Sequence, residues 1–145
     1  MANRYTAVAT PGRLPDWAVV ADGPGSLRIG SFVLGVSDVA RAMGFWAPAL
    51  GYTPRDDSEA TWVVLVPAHG VGPQLALALS ETPARDHPRH HLDLYSPEPA
   101  AEIERLVGLG ATRVDDWDGY EDDSDFVVLE DTEGNRFCVI DTRGR

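Results

Sequence analysis

In the segment HHLDLYS, strand alternation places His91, Asp93 and Tyr95 on one face. An imidazole beside a carboxylate has the parts of a general base, because the carboxylate fixes the tautomer and leaves the other ring nitrogen to take a proton. The same pattern also suits a hydrogen-bonded histidine on a part-exposed strand, and His90 alternates to the opposite face. Cys138 is the single cysteine. A thiol attacks only as the thiolate, and Phe137 and Val139 on either side, with only Arg136 basic nearby, favour a small buried hydrophobe. Trp62, Trp46, Trp117 and Tyr120 offer aromatic surface for a planar or apolar ligand, although Trp46 at its helical spacing belongs in a core. Segment 115–125, DDWDGYEDDSD, has seven acidic residues in eleven. It does not scan as a calcium loop: starting from Asp116, Val127 falls where the closing glutamate belongs, and no glycine falls sixth. It reads as a solvated hairpin loop, or as an acidic lip for a cationic ligand.

These side chains need a scaffold, and the hydrophobic pattern outlines one. RIGSFVLGVSD reads as a strand ending in Asp38, a good N-cap. The following helix carries Val39, Met43, Trp46 and Leu50 at i, i+4, i+7 and i+11, and Gly51 closes it; Pro48 is expected to distort its last turn. Strand-like runs follow at Tyr52 to Arg55, Thr61 to Val66 and Gln74 to Leu79, separated by turn residues. After the linker ETPARDHPR the order restarts. HHLDLYS is a strand, Glu98 and Pro99 open a helix with an Ile103, Leu106, Val107 stripe, and Gly110 ends it. ATRVDD, FVVLED and RFCVID are then strands, with Glu133, Gly134 and Asn135 as an ordinary turn between the last two.

The two halves repeat. Ser31 to Asp38 aligns with His91 to Glu98, LGYTPRDD with LGATRVDD, TWVVLV with DFVVLE, and GPQLALAL with GNRFCVID. Each half is strand, helix, strand, strand, strand. The expected organisation is an N-terminal arm (1–27) with a short edge strand at Trp17 to Ala21, a first βαβββ module (28–82), a linker (83–87) and a second module (88–142).

VSDVARAMGFWAPALGY in the first half and EDTEGNRFCVID in the second resemble the vicinal oxygen chelate superfamily, in particular its glyoxalase-like and bleomycin-resistance-like members. The resemblance spans roughly residues 28 to 142. It implies an α+β fold in which two βαβββ modules form curved mixed sheets around a cavity, often with a divalent metal held by the first and last strands of each module. The matching positions here are Ser31, Ala76, His91 and Cys138. Alanine offers no donor and a neutral serine is a poor one, so no metal ligands and no cofactor are expected; Zn, Ni, Fe or Mn would need Asp93 as a third donor beside His91 and Cys138. The cavity face then comprises Ser31, Val33, Trp62, Ala76, His91, Asp93, Tyr95 and Cys138, with small Ala76 and Ala78 leaving room.

Composition narrows the partners. The formal charge is −11, from 23 acidic residues against 12 arginines and no lysine, which excludes non-specific nucleic-acid binding. No apolar run approaches the ~18 residues of a membrane span, and the first residues lack the apolar stretch of a secretory signal, so a cytoplasmic chain is expected. Three functions compete. The first is a small-molecule-binding protein or metal-independent enzyme, of lyase or isomerase type if catalytic, with His91, Asp93 and Tyr95 as its reactive groups. The others are a resistance-type protein sequestering a cationic antibiotic, and a metal-dependent lyase or dioxygenase. The strand order also suits a homodimer, with modules paired either within a chain or between chains.

Overall fold

The computed structural model describes residue 27 and residues 29–143; the expected strand at Trp17 to Ala21 lies outside them. Strand β1 (Ser31–Val36) leads into helix α1 (Val39–Leu50), then β2 (Tyr52–Pro54), β3 (Trp62–Pro67) and β4 (Gln74–Leu79). The order repeats as β5 (Asp93–Ser96), α2 (Pro99–Leu109), β6 (Thr112–Arg113), β7 (Phe126–Glu130) and β8 (Arg136–Asp141). Each module makes one curved four-stranded sheet, β1-β4-β3-β2 and β5-β8-β7-β6. In each, the first strand pairs in parallel with the last and the remaining pairs are antiparallel.

Local chemistry sets the helix boundaries. Asp38 accepts the Arg41 amide at 2.9 Å as N-cap, satisfying one of the donors that a first turn leaves open. Gly51 ends α1 at φ 67, and its N–H reaches the Ala47 carbonyl. Helix α1 continues through Pro48 to Leu50. The late carbonyls of Pro48 and Ala49 accept from the Arg105 guanidinium of α2 at 3.1 and 2.8 Å.

The buried face of α1 is Val39, Ala42, Phe45, Trp46 and Ala49, with Met43 and Leu50 only flanking it. The expected stripe was therefore turned by part of a helical step. In α2, Ile103 and Leu106 are buried while Val107, one further ~100° step around the helix, is exposed. Strand β5 is shorter than HHLDLYS suggested: its ladder with β8 opens where the Leu92 carbonyl accepts the Cys138 amide. His90 and His91 precede that point, in irregular backbone ahead of the strand. Strand β6 is also short, because the Tyr120 hydroxyl inserts beside it. That hydroxyl donates to the Val114 carbonyl at 2.9 Å and accepts the Val128 amide at 2.8 Å.

A single core joins the modules. Phe45 and Trp46 of α1 pack on Phe137 of β8 with ring centroids 6.1 and 5.1 Å apart, and Val36, Leu65 and Leu77 share a cluster with Leu106, Leu129 and Val139. Burying each large apolar side chain stabilises the fold by roughly 1.5–3 kcal/mol. The β7–β8 turn adds polar links. Buried Asp131 accepts the Trp46 indole N–H at 2.9 Å. Glu133, whose side chain is 1% exposed, accepts from the Ser37 and Asp38 amides, the Ser37 hydroxyl and the Arg41 guanidinium. The turn expected to be ordinary is thus the clamp that holds the second module to the start of α1.

Candidate functional site

Strand alternation leaves one side of each sheet turned away from the helices. On the first sheet Val33 lies opposite Ala76, which lies opposite Val64; Ser31 pairs with Gln74, and Trp62 with Ala78. Val33 is 49% exposed, whereas Ala76 is buried between its neighbours and forms floor, not open space. Ser31, Val33, Trp62 and Ala76 thus share one sheet face and carry no ionisable group.

The second sheet gathers the chemistry. Asp93 lies directly opposite Cys138, and Tyr95 opposite Ile140. His91, just ahead of the ladder, reaches back so that its Nε2 is 3.2 Å from Asp93 Oδ1. The ligating atoms of His91, Asp93 and Cys138 lie within 4.8 Å of one another. Tyr95 is 63% exposed at the open end of this face. Burial first, then the Asp93 charge and its acceptance of the thiol hydrogen bond, pushes Cys138 up to about 11. The thiol therefore stays protonated at neutral pH and is no nucleophile. In the arrangement His91 Nε2–H to Asp93, Nδ1 is the nitrogen left to accept a proton.

The acidic segment is solvated as expected, with all seven carboxylates exposed, but its aromatic residues are not. Trp117 stacks on His87 of the linker at 4.7 Å and lies 5.5 Å from the Arg136 guanidinium, while Tyr120 packs on Phe126 at 5.6 Å. His87 is also 3.1 Å from Asp118. The aromatic residues turn inward onto their own sheet and leave the carboxylates outside. Gly119 permits this fold-back, since a Cβ there would sit 2.5 Å from the Trp117 indole nitrogen.

Arg55 escaped the sequence reading. It follows β2, its amide donates to the Val64 carbonyl, and its guanidinium crosses the outer face of the first sheet to Gln74 Oε1 at 3.3 Å. The DD repeat beside it was a signal of alignment and carried no hint of that direction. A cavity of about 370 Å³ lies elsewhere, between the start of α2 and the second sheet, lined by Pro99, Ile103, Arg113, Phe126 and Asp141 among others. It contains no histidine or cysteine, so His91, Asp93 and Cys138 lie outside it.

The sequence model of the glyoxalase-like domain matches residues 31–140. No curated protein matches the sequence significantly. Among solved structures, a glyoxalase/bleomycin resistance/dioxygenase family enzyme from Burkholderia phytofirmans PsJN is similar with a TM-score of 0.62 at 14% identity, covering 79% of this chain and 98% of that one. A glyoxalase-related enzyme from Fulvimarina pelagi gives 0.61 at 17% identity, over 79% and 88%. A fosfomycin resistance protein from Listeria monocytogenes, in complex with Mn(II) and a dihydroxypropylphosphonic acid, gives 0.60 at 13% identity, over 78% and 88%. At these identities the likeness is one of fold. The family model spans both βαβββ modules, and the chain belongs to the glyoxalase-like domain family of the vicinal oxygen chelate superfamily.

Proposed function

We propose that the protein binds a small organic molecule against the outer face of its second sheet and that His91, oriented by Asp93, exchanges a proton with it. The observation that carries this reading is the convergence of His91, Asp93 and Cys138 on an exposed face, where a polar cluster is reachable by a ligand. Tyr95 supplies an exposed phenol two residues along the same strand. Open faces with Val33 and Tyr95 so exposed favour a homodimer, in which the first sheet of one chain covers the second sheet of its partner. For the antibiotic-sequestering reading, Trp117 is already engaged by His87 and Arg136, which leaves Trp62 on the outer face of the first sheet as its stacking surface.

A second reading has its own observation. Of the four positions that the superfamily uses for a metal, Ser31 and Ala76 give no good donor. One nitrogen, one oxygen and one sulfur donor within 4.8 Å nevertheless fit a three-ligand divalent site confined to the second sheet. A divalent ion bound there would act as a Lewis acid toward a ligand oxygen. Cys138 would have to give up a proton that Asp93 and burial now hold firmly.

Elemental analysis of protein purified without chelator separates the two. A metal content far below one ion per chain, together with a small-molecule thermal shift that His91→Ala and Asp93→Asn diminish, supports proton exchange without metal. A ligand at a hundred times its Kd adds about 2.7 kcal/mol of stability, enough to see in such a screen. Stoichiometric metal lost in Cys138→Ser and Asp93→Asn replaces the first reading with the second. Light scattering giving twice the 15.7-kDa chain mass supports the dimer, and a single-chain mass removes it.

A further inference from the structure

The ligand of this site is so far undefined in charge, and one side chain speaks to it. The outer face of the first sheet has uncharged residues at Ser31, Val33, Trp62, Gln74 and Ala76. Arg55 is the exception. Its side chain is 30% exposed, its backbone is fixed beside Val64, and its head group is aimed by two contacts: Nε donates to Asp56 Oδ2 at 2.7 Å and Nη1 to Gln74 Oε1 at 3.3 Å. A guanidinium has five N–H donors in a planar fork. The three remaining make no hydrogen bond among the described residues. Gln74 is itself held in the β1–β4 ladder opposite Ser31, so the fork is positioned before any ligand arrives.

The electrostatic setting gives this arginine weight. In a chain of net charge −11 an anion is repelled by most of the surface. A cation set on an otherwise uncharged sheet face, with Val64 and Ala76 buried beneath it, is where an anionic ligand finds local attraction. Asp56 neutralises part of that charge but is itself well exposed and engages only the Nε edge.

We propose that Arg55 is the seat for an oxyanion group, a carboxylate or a phosphonate, on the small molecule whose proton His91 handles. The inference rests on the functional reading above and adds the substrate class: an organic acid, bound end-on by the two-pronged Nη edge of Arg55. In the paired arrangement the acid group sits on the first sheet of one chain and the reacting carbon faces His91 of the other.

Titration calorimetry with benzoate, phenylphosphonate and the neutral isostere benzamide tests this. Wild-type protein is expected to bind at least one of the two acids about tenfold or more tightly than benzamide, since hydrogen bonds to a charged partner carry about that much. The stronger arm identifies the oxyanion. Arg55→Gln, which keeps polarity, is expected to weaken the acids far more than benzamide and so erase the preference; Arg55→Lys, with charge but no fork, falls between. His91→Ala is expected to keep the preference. Equal binding of all three probes by wild type, or an intact preference in Arg55→Gln, overturns the proposal, as does loss of the preference in His91→Ala alone. An Arg55-dependent preference in a protein that scatters light as a monomer leaves the oxyanion seat standing and removes only the second copy from the functional reading.

Discussion

The two modules share one order of elements and differ where each meets something else. The first module's outer sheet face is neutral apart from Arg55, while the second module's bears His91, Asp93 and Cys138. Their β-turns differ in the same way. Between β7 and β8 the turn offers Asp131 and Glu133 to α1; between β3 and β4 the corresponding stretch has His69 and Gly70, lacks any carboxylate, and leaves Val71 75% exposed. A duplicated scaffold thus needs only one clamp to join its halves, and here one outer face gathers the histidine, aspartate and cysteine. The copy relieved of those duties keeps small and apolar residues there.

The largest test of that comparison is whether the halves depend on one another. Phe137→Ala, on the last strand of the second module, removes the ring against which both Phe45 and Trp46 pack. It is expected to cost about 3–5 kcal/mol and to shift one cooperative urea transition for the whole chain. Two separate transitions would mean that the modules are independent domains.

Next comes the reactive face. With Cys138 held at about 11, iodoacetamide should alkylate the native protein at pH 8 roughly a hundredfold more slowly than a free cysteine with the usual value near 8.5. Asp93→Asn removes the like charge that disfavours the thiolate and is expected to speed the reaction. A rate unmoved by that substitution would separate Cys138 from the His91–Asp93 pair and reduce the contrast between the two faces.

The clamp gives a smaller and pH-dependent effect. Asp131→Ala leaves the Trp46 indole N–H without its acceptor in a buried setting, at a cost of about 1–3 kcal/mol. Glu133 feels burial as its largest influence, which raises its pKa, yet hydrogen bonds from Arg41 and Ser37 hold it below the ordinary carboxylate value. A carboxylate depressed in the folded state contributes stability above its unfolded pKa, near 4.5, and loses that contribution as pH falls through the folded value. Thermal melts of Glu133→Gln against wild type should therefore differ most near neutrality and converge at low pH. A gap that widens in acid would contradict the clamp. The smallest effect belongs to the other turn: Val71→Ser, fully outside any clamp, is expected to change stability by no more than about 0.5 kcal/mol in the same melts.

Much of the scaffold was legible in advance because its signals are local. Asp38 before an apolar period, glycine after it, and LG closing each helix are decided within a few residues. The repeat then supplied the second module from the first. The site was legible in part: alternation within HHLDLYS put His91, Asp93 and Tyr95 on one face, and the structure keeps them there. Register was less accessible. Ala76 and Cys138 face Val33 and Asp93 across the parallel ladders, one row along from Ser31 and His91, and that offset is what brings the thiol to the Asp93 carboxylate. In segment 115–125 the charges are the visible signal, whereas the contacts of Trp117 with His87 and Arg136 and of Tyr120 with Val114, Val128 and Phe126 fix its path while the carboxylates remain in water.

The sequence by itself determined the type and order of the elements between Ser31 and Asp141 and the two-module repeat. Each follows from composition or from periodicity within one element. Only the tertiary structure decided that an unremarkable turn grips the neighbouring module, that Arg55 lies across the face of the first sheet, and that a histidine, an aspartate and a cysteine converge on the second. Those facts depend on strand pairings between residues some 45 positions apart and on the direction in which long side chains run, and neither is encoded in the local pattern of polar and apolar residues.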